Sequence, residues 1–382
     1  MPRLAARPSS RGTCLILAAL VAPIAGDTTQ SIMSEADIYP SSAEVASRVH
    51  AATLPIEYYN ALLAEVTARG LFKRTYWHYG LTGGIAIIGM TASLYALSLS
   101  DNALFQALNA IGFGFFSVQI GMIGHDLSHG EVFESHEVNR FFAMMAWGLL
   151  GGLCESRWFH KHNTHHKNPN HIGHDPDLEI PFVFSDIQAA RWSDFYKKWF
   201  FPYQHILFWI AFSFLYPYNI VYSMQYIFRN FTARSMFELS LMIVHYSVVV
   251  GLPLYLLPLP VAILFLGISF IVIGAYIGMV FAPNHKGEEM LDEDEKFNWT
   301  HQITLTRDLY PTLPVFYLLG GLNFQIEHHL FPTMSRMKYW EAYKTVKDFC
   351  ARHELRYHQT TWPESMREIH ESLKQEARTW SS

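Results

Sequence analysis

The sequence predicts an all-α integral membrane protein in which four transmembrane helices carry a cytosolic, histidine-rich helical cap. Three observations lead to this prediction. Half of the 382 residues are hydrophobic, 15% are aromatic and only 16% are charged, which is the balance expected of a membrane protein with polar sections. Four apolar runs are long enough to cross a bilayer. The main histidine patterns lie in the polar segments next to these runs.

The N-terminal segment, residues 1–42, is predicted to be an extension outside the membrane domain. It has a basic start, the apolar run Cys14–Ile24 and then small residues, which is typical of a secretory signal. A disordered extension, or a true start at Met33, is the alternative interpretation. No function is assigned to this segment.

A helical hairpin is predicted to open the membrane domain. Apolar positions at helical spacing predict membrane-surface helices over Ala43–Lys73. The runs Gly80–Leu99 and Leu104–Ile123 follow, and a short polar turn joins them. Basic residues lie just before the hairpin, whereas only Asp101 marks its turn, so the positive-inside rule places both open ends in the cytoplasm. The basic residues are Arg69, Lys73 and Arg74.

A second hairpin is predicted from the runs Glu238–Leu257 and Val261–Phe281, which are joined by a tight proline-containing connection. The apolar stretch His205–Phe228 is also long enough to span. A third crossing in this part of the chain would, however, separate the later histidines from the earlier ones. We therefore expect this stretch to be interfacial or re-entrant, and Phe141–Leu153 to be too short to cross.

The polar segments 124–200 and 283–382 are predicted to fold together as one cap. Residues 43–357 then form a single domain, followed by a C-terminal tail, residues 358–382. A net charge of -5 without a dense lysine and arginine tract argues against a nucleic-acid partner. The three cysteines are far apart, so neither a disulfide framework nor a thiolate metal site is expected.

Three histidine patterns are the strongest chemical signal. "HDLSH" places His125 and His129 one helical turn apart, on one helix face. "HNTHH" also places its histidines on one helix face, at positions i, i+3 and i+4; they are His162, His165 and His166. "QIEHH" has the same spacing but begins with glutamine, and its members are Gln325, His328 and His329. Each pattern alone also fits a solvated polar helix or a structural histidine pair.

The joint occurrence of the patterns at predicted helix ends favours a metal site. Adjacent histidines project about 100° apart on a helix, so His165 and His166 can serve two different metals, which predicts a dinuclear site. His285, where the fourth span ends, is a further candidate ligand. The carbonyl oxygen of Gln325 can be a weak ligand or accept a hydrogen bond from a metal-bound water. The predicted metal ligands are His125, His129, His162, His165, His166, His285, Gln325, His328 and His329.

All of these except His285 and Gln325 are also predicted to be catalytic. Neutral imidazole suits iron, copper and zinc. Nearby carboxylates and an amide are expected to orient the imidazoles through their second ring nitrogen, with ordinary surface polarity as the alternative; they are Asp126, Glu131, Asp175, Asp177, Asn323 and Glu327. Supporting or surface positions suit His160, His171 and His174. A structural role is expected for His136, His205, His245 and His301.

With these motifs the chain resembles the membrane fatty acid desaturases, whose three histidine boxes appear here as "HDLSH", "HNTHH" and "QIEHH". It is most similar to the front-end type, which acts between an existing double bond and the carboxyl end, because Gln325 replaces the first histidine of the third box. The resemblance covers roughly residues 43–357. It implies a non-haem di-iron centre with two iron ions, O2 as co-substrate, and an acyl channel beneath the cap. The implied substrate is a long-chain fatty acyl lipid or CoA ester.

Two departures from that family pattern affect the expectations. The fused cytochrome b5 domain of many relatives, with its "HPGG" motif, is not found in this sequence. The resemblance therefore implies a separate electron donor, a ferredoxin or a free cytochrome b5. The segment His301–Leu309 also differs from that of relatives, which leaves the substrate contacts there unassigned.

Two other classes of function remain as alternatives. A related membrane hydroxylase, ketolase or sphingolipid desaturase could use similar histidine boxes. A histidine-rich metal transporter would instead place histidines along the spans, and only His245 lies well within a predicted span.

Overall fold

The computed structural model of the protein describes residues 53–379. The predictions for residues 1–42, including the signal-like segment and the alternative start at Met33, lie outside the described residues. Secondary structure in the described part is almost entirely helical, and its helices and strands are numbered here in chain order.

Four helical segments are long and apolar enough to cross a membrane, as predicted. The first two are α2 (Tyr76–Ala96) and α3 (Ala103–His129). The third, Ala233–Leu256, consists of α10 (Ala233–Val249) and α11 (Gly251–Leu256), and the fourth is α12 (Leu259–His285). Both α3 and α12 continue past the predicted ends of their apolar runs. Their final turns therefore carry histidines beyond the apolar runs, namely His125, His129 and His285.

Residues in the turns of the two hairpins determine where the following helices begin. Asn102 caps α3, because its side-chain oxygen accepts a hydrogen bond from the backbone N–H of Phe105 at 3.0 Å. The Gln106 amide closes the same turn by donating to the carbonyl of Ser100 at 2.6 Å. In the second hairpin Pro258 is the N-cap of α12, where a proline ring does not interrupt helical hydrogen bonds.

The stretch that was predicted to be interfacial or re-entrant forms two helical segments bent by 76° at a short break, Asp194–Phe212 and Leu215–Arg229. This bend is expected of a broken span or a re-entrant segment. The first segment contains α7 (Asp194–Trp199), a 3-10 turn and α8 (Gln204–Phe212); the second is α9 (Leu215–Arg229). Residue Gly278 of α12 permits the close packing of α8, since a Cβ atom there would lie 2.3 Å from the Phe212 ring.

The remaining elements form the cap that surrounds the ends of α3 and α12. The other helices are α1 (Ile56–Ala68), α4 (His136–Met144), α5 (Glu155–Lys167), α6 (Asp186–Ala190), α13 (His301–Thr304), α14 (Leu313–Leu318), α15 (Gln325–Leu330), α16 (Tyr339–Arg352) and α17 (Trp362–Thr379). Two short parallel strands pair with each other, β1 (Arg307–Leu309) and β2 (His358–Thr360). A π-helical segment, Met145–Leu150, follows α4.

Two large clusters of buried apolar side chains hold the stem and the cap. The stem cluster packs α2, α3 and α12, with Phe113 and Phe265 in contact at a ring-centroid distance of 5.8 Å. The cap cluster joins α1, α15 and α16 around Phe324, Phe331 and Tyr339. The large apolar side chains that stay exposed on the span helices, such as Ile88 and Tyr255, are what a lipid-facing surface requires.

Candidate metal centre

The first histidine pattern lies on the last turns of α3. His125 and His129 are on one face, with their ring centroids 4.8 Å apart. The helix ends directly after them because Gly130 takes a left-handed conformation with φ 76°, which glycine adopts at little cost. The sequence therefore places the imidazoles of His125 and His129 at the end of the second span helix.

The second pattern lies on α5, and aromatic stacking fixes its position. The ring of Trp158 stacks on His162 at 4.3 Å and on Trp147 at 4.6 Å. Trp147 belongs to the π-helical segment, and such segments are frequent at functional sites. The stack ties α5 to the stem by aromatic contact, in addition to the ion pair of Glu155 with Arg234 of α10 at 2.6 Å.

The third pattern lies on the short helix α15, in which all six residues are buried. A six-residue helix has little stability of its own, so its position is set by its neighbours. The carboxylate of Asp308 accepts a hydrogen bond from the backbone N–H of Ile326 at 2.9 Å. The backbone N–H of Leu309 also donates to the carbonyl of Asn323 at 2.9 Å.

The imidazoles of the three patterns form two adjacent groups. In the first group, one ring nitrogen from each of four histidines lies within 4.8 Å of those of the others; these are His125, His129, His162 and His328. The Nε2 atoms of His162 and His129 are 2.9 Å apart. His166 joins this group, because its Nε2 lies 3.0 Å from that of His162 and 3.1 Å from that of His328.

The second group consists of His165, His285 and His329, whose ligand nitrogens also lie within 4.8 Å of one another. The Nε2 atoms of His165 and His285 are 3.3 Å apart. His165 and His166 thus face different groups, as the helical geometry of the second pattern requires. The two groups are in contact, since the rings of His166 and His329 stack with centroids 4.2 Å apart.

Gln325 lies at the edge of the second group. Its side-chain nitrogen is 2.8 Å from Nε2 of His285, and its oxygen accepts a hydrogen bond from the side chain of Asn284 at 3.1 Å. In this arrangement the amide nitrogen, not the carbonyl oxygen, faces the imidazoles. A direct oxygen ligand at this position requires the amide to turn over.

The donor set fits metal ions. Two imidazole nitrogens bound at right angles to one metal at about 2.1 Å lie roughly 3.0 Å apart, and the close nitrogen pairs here are 2.9 to 3.3 Å apart. Among residues 53–379, the buried Nε2 atoms of His125 and His329 have no hydrogen-bond partner. Buried polar atoms without a partner are rare in folded proteins, and a metal ion in each histidine group would bind one of these two nitrogens.

Side chains fix the rings through their other nitrogen. Nδ1 of His125 lies 3.0 Å from Asp126, and Nδ1 of His165 lies 3.0 Å from both oxygens of Asp175. A carboxylate in this position selects the tautomer that leaves Nε2 free to bind a metal. Nδ1 of His328 meets the Tyr339 hydroxyl at 3.1 Å.

The protonation state of four imidazoles outside the spans suits metal binding. Burial, followed by the neighbouring histidines, holds the pKa values of four of them well below their usual range; these are His162, His166, His328 and His329. Burial also lowers the pKa of His165, but Asp175 and Asp177 outweigh it and leave the pKa of that imidazole raised. Neutral imidazole is the form that binds metal.

The other carboxylates and the amide that were predicted to support the imidazoles have different surroundings. Glu131 lies 4.0 Å from Nδ1 of His328. Burial raises the pKa of Glu327. Its carboxylate accepts a hydrogen bond from Tyr357 at 3.1 Å and makes no hydrogen bond to an imidazole among residues 53–379. The side chain of Asn323 has no hydrogen-bond partner within residues 53–379.

Two residues that support the imidazoles, one through Asp126 and one directly, were not predicted from the sequence. Arg336 forms a buried ion pair with Asp126 and donates a hydrogen bond to the carbonyl of Met122 at 2.7 Å. Gln302 accepts a hydrogen bond from Nδ1 of His329 at 2.8 Å. Gln302 belongs to the segment His301–Leu309, whose unusual sequence was noted, so that segment contacts the metal centre.

The histidines outside the three patterns have separate roles. Nε2 of His171 lies 3.0 Å from the carbonyl of Asp292, and Nε2 of His174 lies 3.2 Å from that of Glu293, so both hold a loop of the cap. His160 is exposed. His245 donates from Nδ1 to the carbonyl of Leu149 at 3.0 Å and lines an internal cavity.

That cavity lies directly beside the imidazoles and has a volume of about 220 Å³. It borders His162, His165 and His285 on one side. Along α3 it borders Phe113, Ser117 and Gly121, which are one turn apart. Most of its wall is apolar, with aromatic and aliphatic side chains from α3, α8, α9 and α12. Such a space can take a long apolar group and bring it next to both histidine groups.

Comparison with known proteins decides the family. Residues 103–361 match the sequence pattern of a family described as "Fatty acid desaturase". The chain belongs to the fatty acid desaturase family. The match to this desaturase family includes every histidine of the two groups, from the last turns of α3 to α15.

Individual relatives agree with the family assignment. Over 327 residues the chain is 27% identical to an acyl-lipid (9-3)-desaturase of Physcomitrium patens, which covers 80% of this chain and 60% of the relative. It is 30% identical over 268 residues to the fatty acid desaturase 2-like protein FADS2B of Mus musculus, with 69% and 54% covered. It is 29% identical over 255 residues to a delta(6)-fatty-acid desaturase of Caenorhabditis elegans, with 63% and 57% covered. The matched part thus spans little more than half the length of these relatives.

Proposed function

We propose that the protein is a membrane-bound fatty acid desaturase that inserts a cis double bond into a long acyl chain with O2 and two electrons. The observation that carries this proposal is the contact between two adjacent groups of buried histidine nitrogens and an apolar internal cavity. Histidine groups alone would fit many metalloproteins. An apolar cavity whose wall contains imidazoles from both groups fits chemistry on a hydrocarbon chain.

The residues proposed to hold two iron ions are the eight histidines of the two groups. His125, His129, His162, His166 and His328 would hold one ion, and His165, His285 and His329 the other. Gln325 would contribute a weak ligand or a hydrogen bond at the second. A bound pair of irons supplies the activation of O2 and the removal of hydrogen from two neighbouring CH2 groups, which no side chain can perform.

The protein's own contribution is to bind and orient the substrate and to exclude water. Burial of each methylene is worth about 0.8 kcal/mol, so a long chain in the cavity has ample binding energy to be held in one register. His162 and His165 face the cavity, so the register decides which carbon atoms lie beside the metal centre. Asp126 and Asp175 hold the imidazole rings of His125 and His165 in a fixed orientation while the acyl chain binds.

The proposal extends to regioselectivity, membrane orientation and the electron donor. Front-end regioselectivity is supported by Gln325 at the first position of the third pattern and by relatives named as delta(6) and delta(8) desaturases. A cytoplasmic position of the cap is supported by basic residues before the first span, including Lys73 and Arg74. We propose a ferredoxin or a free cytochrome b5 as the electron donor, with the lipid bilayer as the environment of the substrate.

The test is expression of the full chain in a host that lacks polyunsaturated lipids. Defined fatty acids are supplied, and mass spectrometry locates any new double bond. We expect a double bond on the carboxyl side of an existing one, and its loss when His165 or His329 is replaced by alanine. His174→Ala is the matched control, because His174 contacts the carbonyl of Glu293 and the ring of His171 and, among residues 53–379, none of the imidazoles of the two groups.

Two results would contradict the proposal. A hydroxylated or oxidised product in place of an alkene would favour a related hydroxylase or ketolase. Purified protein that holds no iron, with the same lipid profile in the host with and without the chain, would exclude a desaturase of this type.

A further inference from the structure

His285 differs from the other histidines of the second group in how its ring is oriented. Nδ1 of His165 has Asp175 as a partner, and Nδ1 of His329 has Gln302. Nδ1 of His285 has no hydrogen-bond partner among residues 53–379. Apart from the other histidines, the polar side chain that contacts its ring within the described part of the chain is Gln325, at Nε2, the nitrogen that faces the group. The orientation of the His285 ring therefore depends on the position of its backbone.

That backbone is the last turn of α12, in which the carbonyls of Pro283 and His285 have no partner within the helix. Side chains from three separate segments of the chain occupy them. Arg307 of β1 donates from Nε to the carbonyl of Pro283 at 2.7 Å and from Nη2 to the carbonyl of Lys286. Ser365 of α17 donates to the carbonyl of Pro283 at 2.6 Å. The side chain of Asn170 donates to the carbonyl of His285 itself at 2.9 Å.

Arg307 is the centre of this arrangement because one rigid guanidinium holds the carbonyls on both sides of His285. Its side chain is fully buried. Its charge is balanced by Glu288 at 3.2 Å and by Glu368 of α17, as a buried charge requires. The strand pairing of Arg307 with His358 fixes the backbone from which the guanidinium extends.

The helix α17 closes over the same turn. A Cβ atom on Gly287, which has φ 80°, would lie 3.4 Å from Cα of Ile369 and 3.5 Å from Nη2 of Arg307. The helix is further tied to α8, since the side chain of Gln204 donates to the carbonyl of Leu373 at 3.0 Å. Residues about 80 positions after His285 thus define the space into which its turn fits.

We propose that Arg307, supported by α17, is a positioning residue for His285 and thereby sets the affinity of the second metal position. This inference rests on the proposed function, in which these histidines bind iron. Arg307 touches neither a metal position nor the cavity. It acts through the backbone of His285, whose imidazole is the proposed metal ligand.

The test measures iron per chain in purified full-length protein, together with thermal unfolding and the Mössbauer spectrum of the bound iron. Arg307→Gln removes one of the two carbonyl contacts and the charge. Loss of such a supporting contact typically weakens metal binding about 10- to 100-fold, so we expect the iron content to fall by about half, with one of two spectral components lost. His285→Ala should lose the same component, and the double variant should lose no more than either single one.

Arg356→Gln is the matched control. Arg356 pairs with the same Glu288 at 2.8 Å, but its other two contacts, with the carbonyl of Thr304 at 2.9 Å and with Nδ1 of His358 at 3.2 Å, do not reach the turn of His285. We expect this variant to keep its full iron content. If Arg307→Gln does not fold, Arg307→Lys and Ser365→Ala decide, because each removes part of the support and should lower the occupancy of the same spectral component.

Full iron content in folded Arg307→Gln, or an equal loss in Arg356→Gln, would overturn the inference. Either result would leave the proposed function intact as long as His285→Ala still loses iron. If His165→Ala and His329→Ala also keep all their iron, the proposed function itself fails.

Discussion

Substitution of Gly121 tests whether the internal cavity holds the acyl chain. Gly121 lies one turn before His125 on α3 and borders the cavity. A Cβ atom built on it meets no other atom within 4 Å. Side chains added at this position therefore extend into the cavity without a clash in the empty protein, so the fold should tolerate both Gly121→Ala and Gly121→Leu.

The expected effect scales with the number of carbon atoms added. If each added carbon displaces one methylene of the substrate, alanine costs about 0.8 kcal/mol and leucine about 3 kcal/mol of binding. Because about 1.4 kcal/mol corresponds to a factor of ten, kcat/KM for a long acyl chain should fall roughly 4-fold in the alanine variant and roughly 200-fold in the leucine variant. The same displacement should shift the position of the new double bond in whatever product remains.

The assay is product formation from a series of acyl chains, with the variants at matched protein level in the same host. Gly112→Ala and Gly112→Leu are the controls. Gly112 is nine residues earlier on α3, on the opposite face by helical geometry; its Cβ position is equally free and it does not border the cavity. The gain in helix propensity from replacing glycine is shared by both positions. Equal product from Gly121→Leu and wild type, or equal losses at Gly112 and Gly121, would refute an acyl chain in this cavity.

Three further predictions concern the surroundings of the site and the topology. Asp126→Asn or Arg336→Met alone should each destabilise the protein by about 3 to 5 kcal/mol, because an unpaired buried charge remains. In chemical unfolding, the double variant should lose much less unfolding free energy than the sum of the two single losses. Additive losses would exclude the buried pair. Asp175→Asn should reduce iron binding about 10- to 100-fold in metal titrations, whereas unchanged affinity would show that the carboxylate does not orient its imidazole. Cysteines placed at Asp101, between the first two spans, and at Glu293 in the cap should be labelled from opposite sides of the membrane, and labelling from one side would contradict the four-span topology.

The stem of the fold could be predicted from the sequence because transmembrane helices are encoded locally. Each run of about 20 apolar residues must form its own hydrogen bonds within one helix, so composition is enough to find it. The helix ends could not be placed in the same way. α3 continues six residues past Ile123 to His129, because polar residues of the last turns are buried in the cap and satisfied there by distant partners such as Arg336.

Spacing predicted which histidines the fold brings together, but only some of the residues that orient them could be predicted. Asp126 and Asp175 lie close in sequence to the imidazoles that they contact, so proximity was a usable signal. Arg336 contacts Asp126 from 210 positions away, and only the folded chain brings them together. Gln302 could have been noticed, since it lies in the one segment whose sequence was recognised as unusual.

The two histidine groups differ in the kind of support that the fold gives them, and this difference has a consequence for variants. The first group is fixed by Asp126, which is itself paired with Arg336, and by the hydroxyl of Tyr339 at His328. In the second group the backbone turn that carries His285 depends on Arg307. Because the two sets of supporting contacts share no residue, a substitution in one set should weaken mainly its own metal position. Protein with one weakened position would then separate the contribution of each metal to the reaction, which substitution of the stacked pair His166 and His329 cannot do.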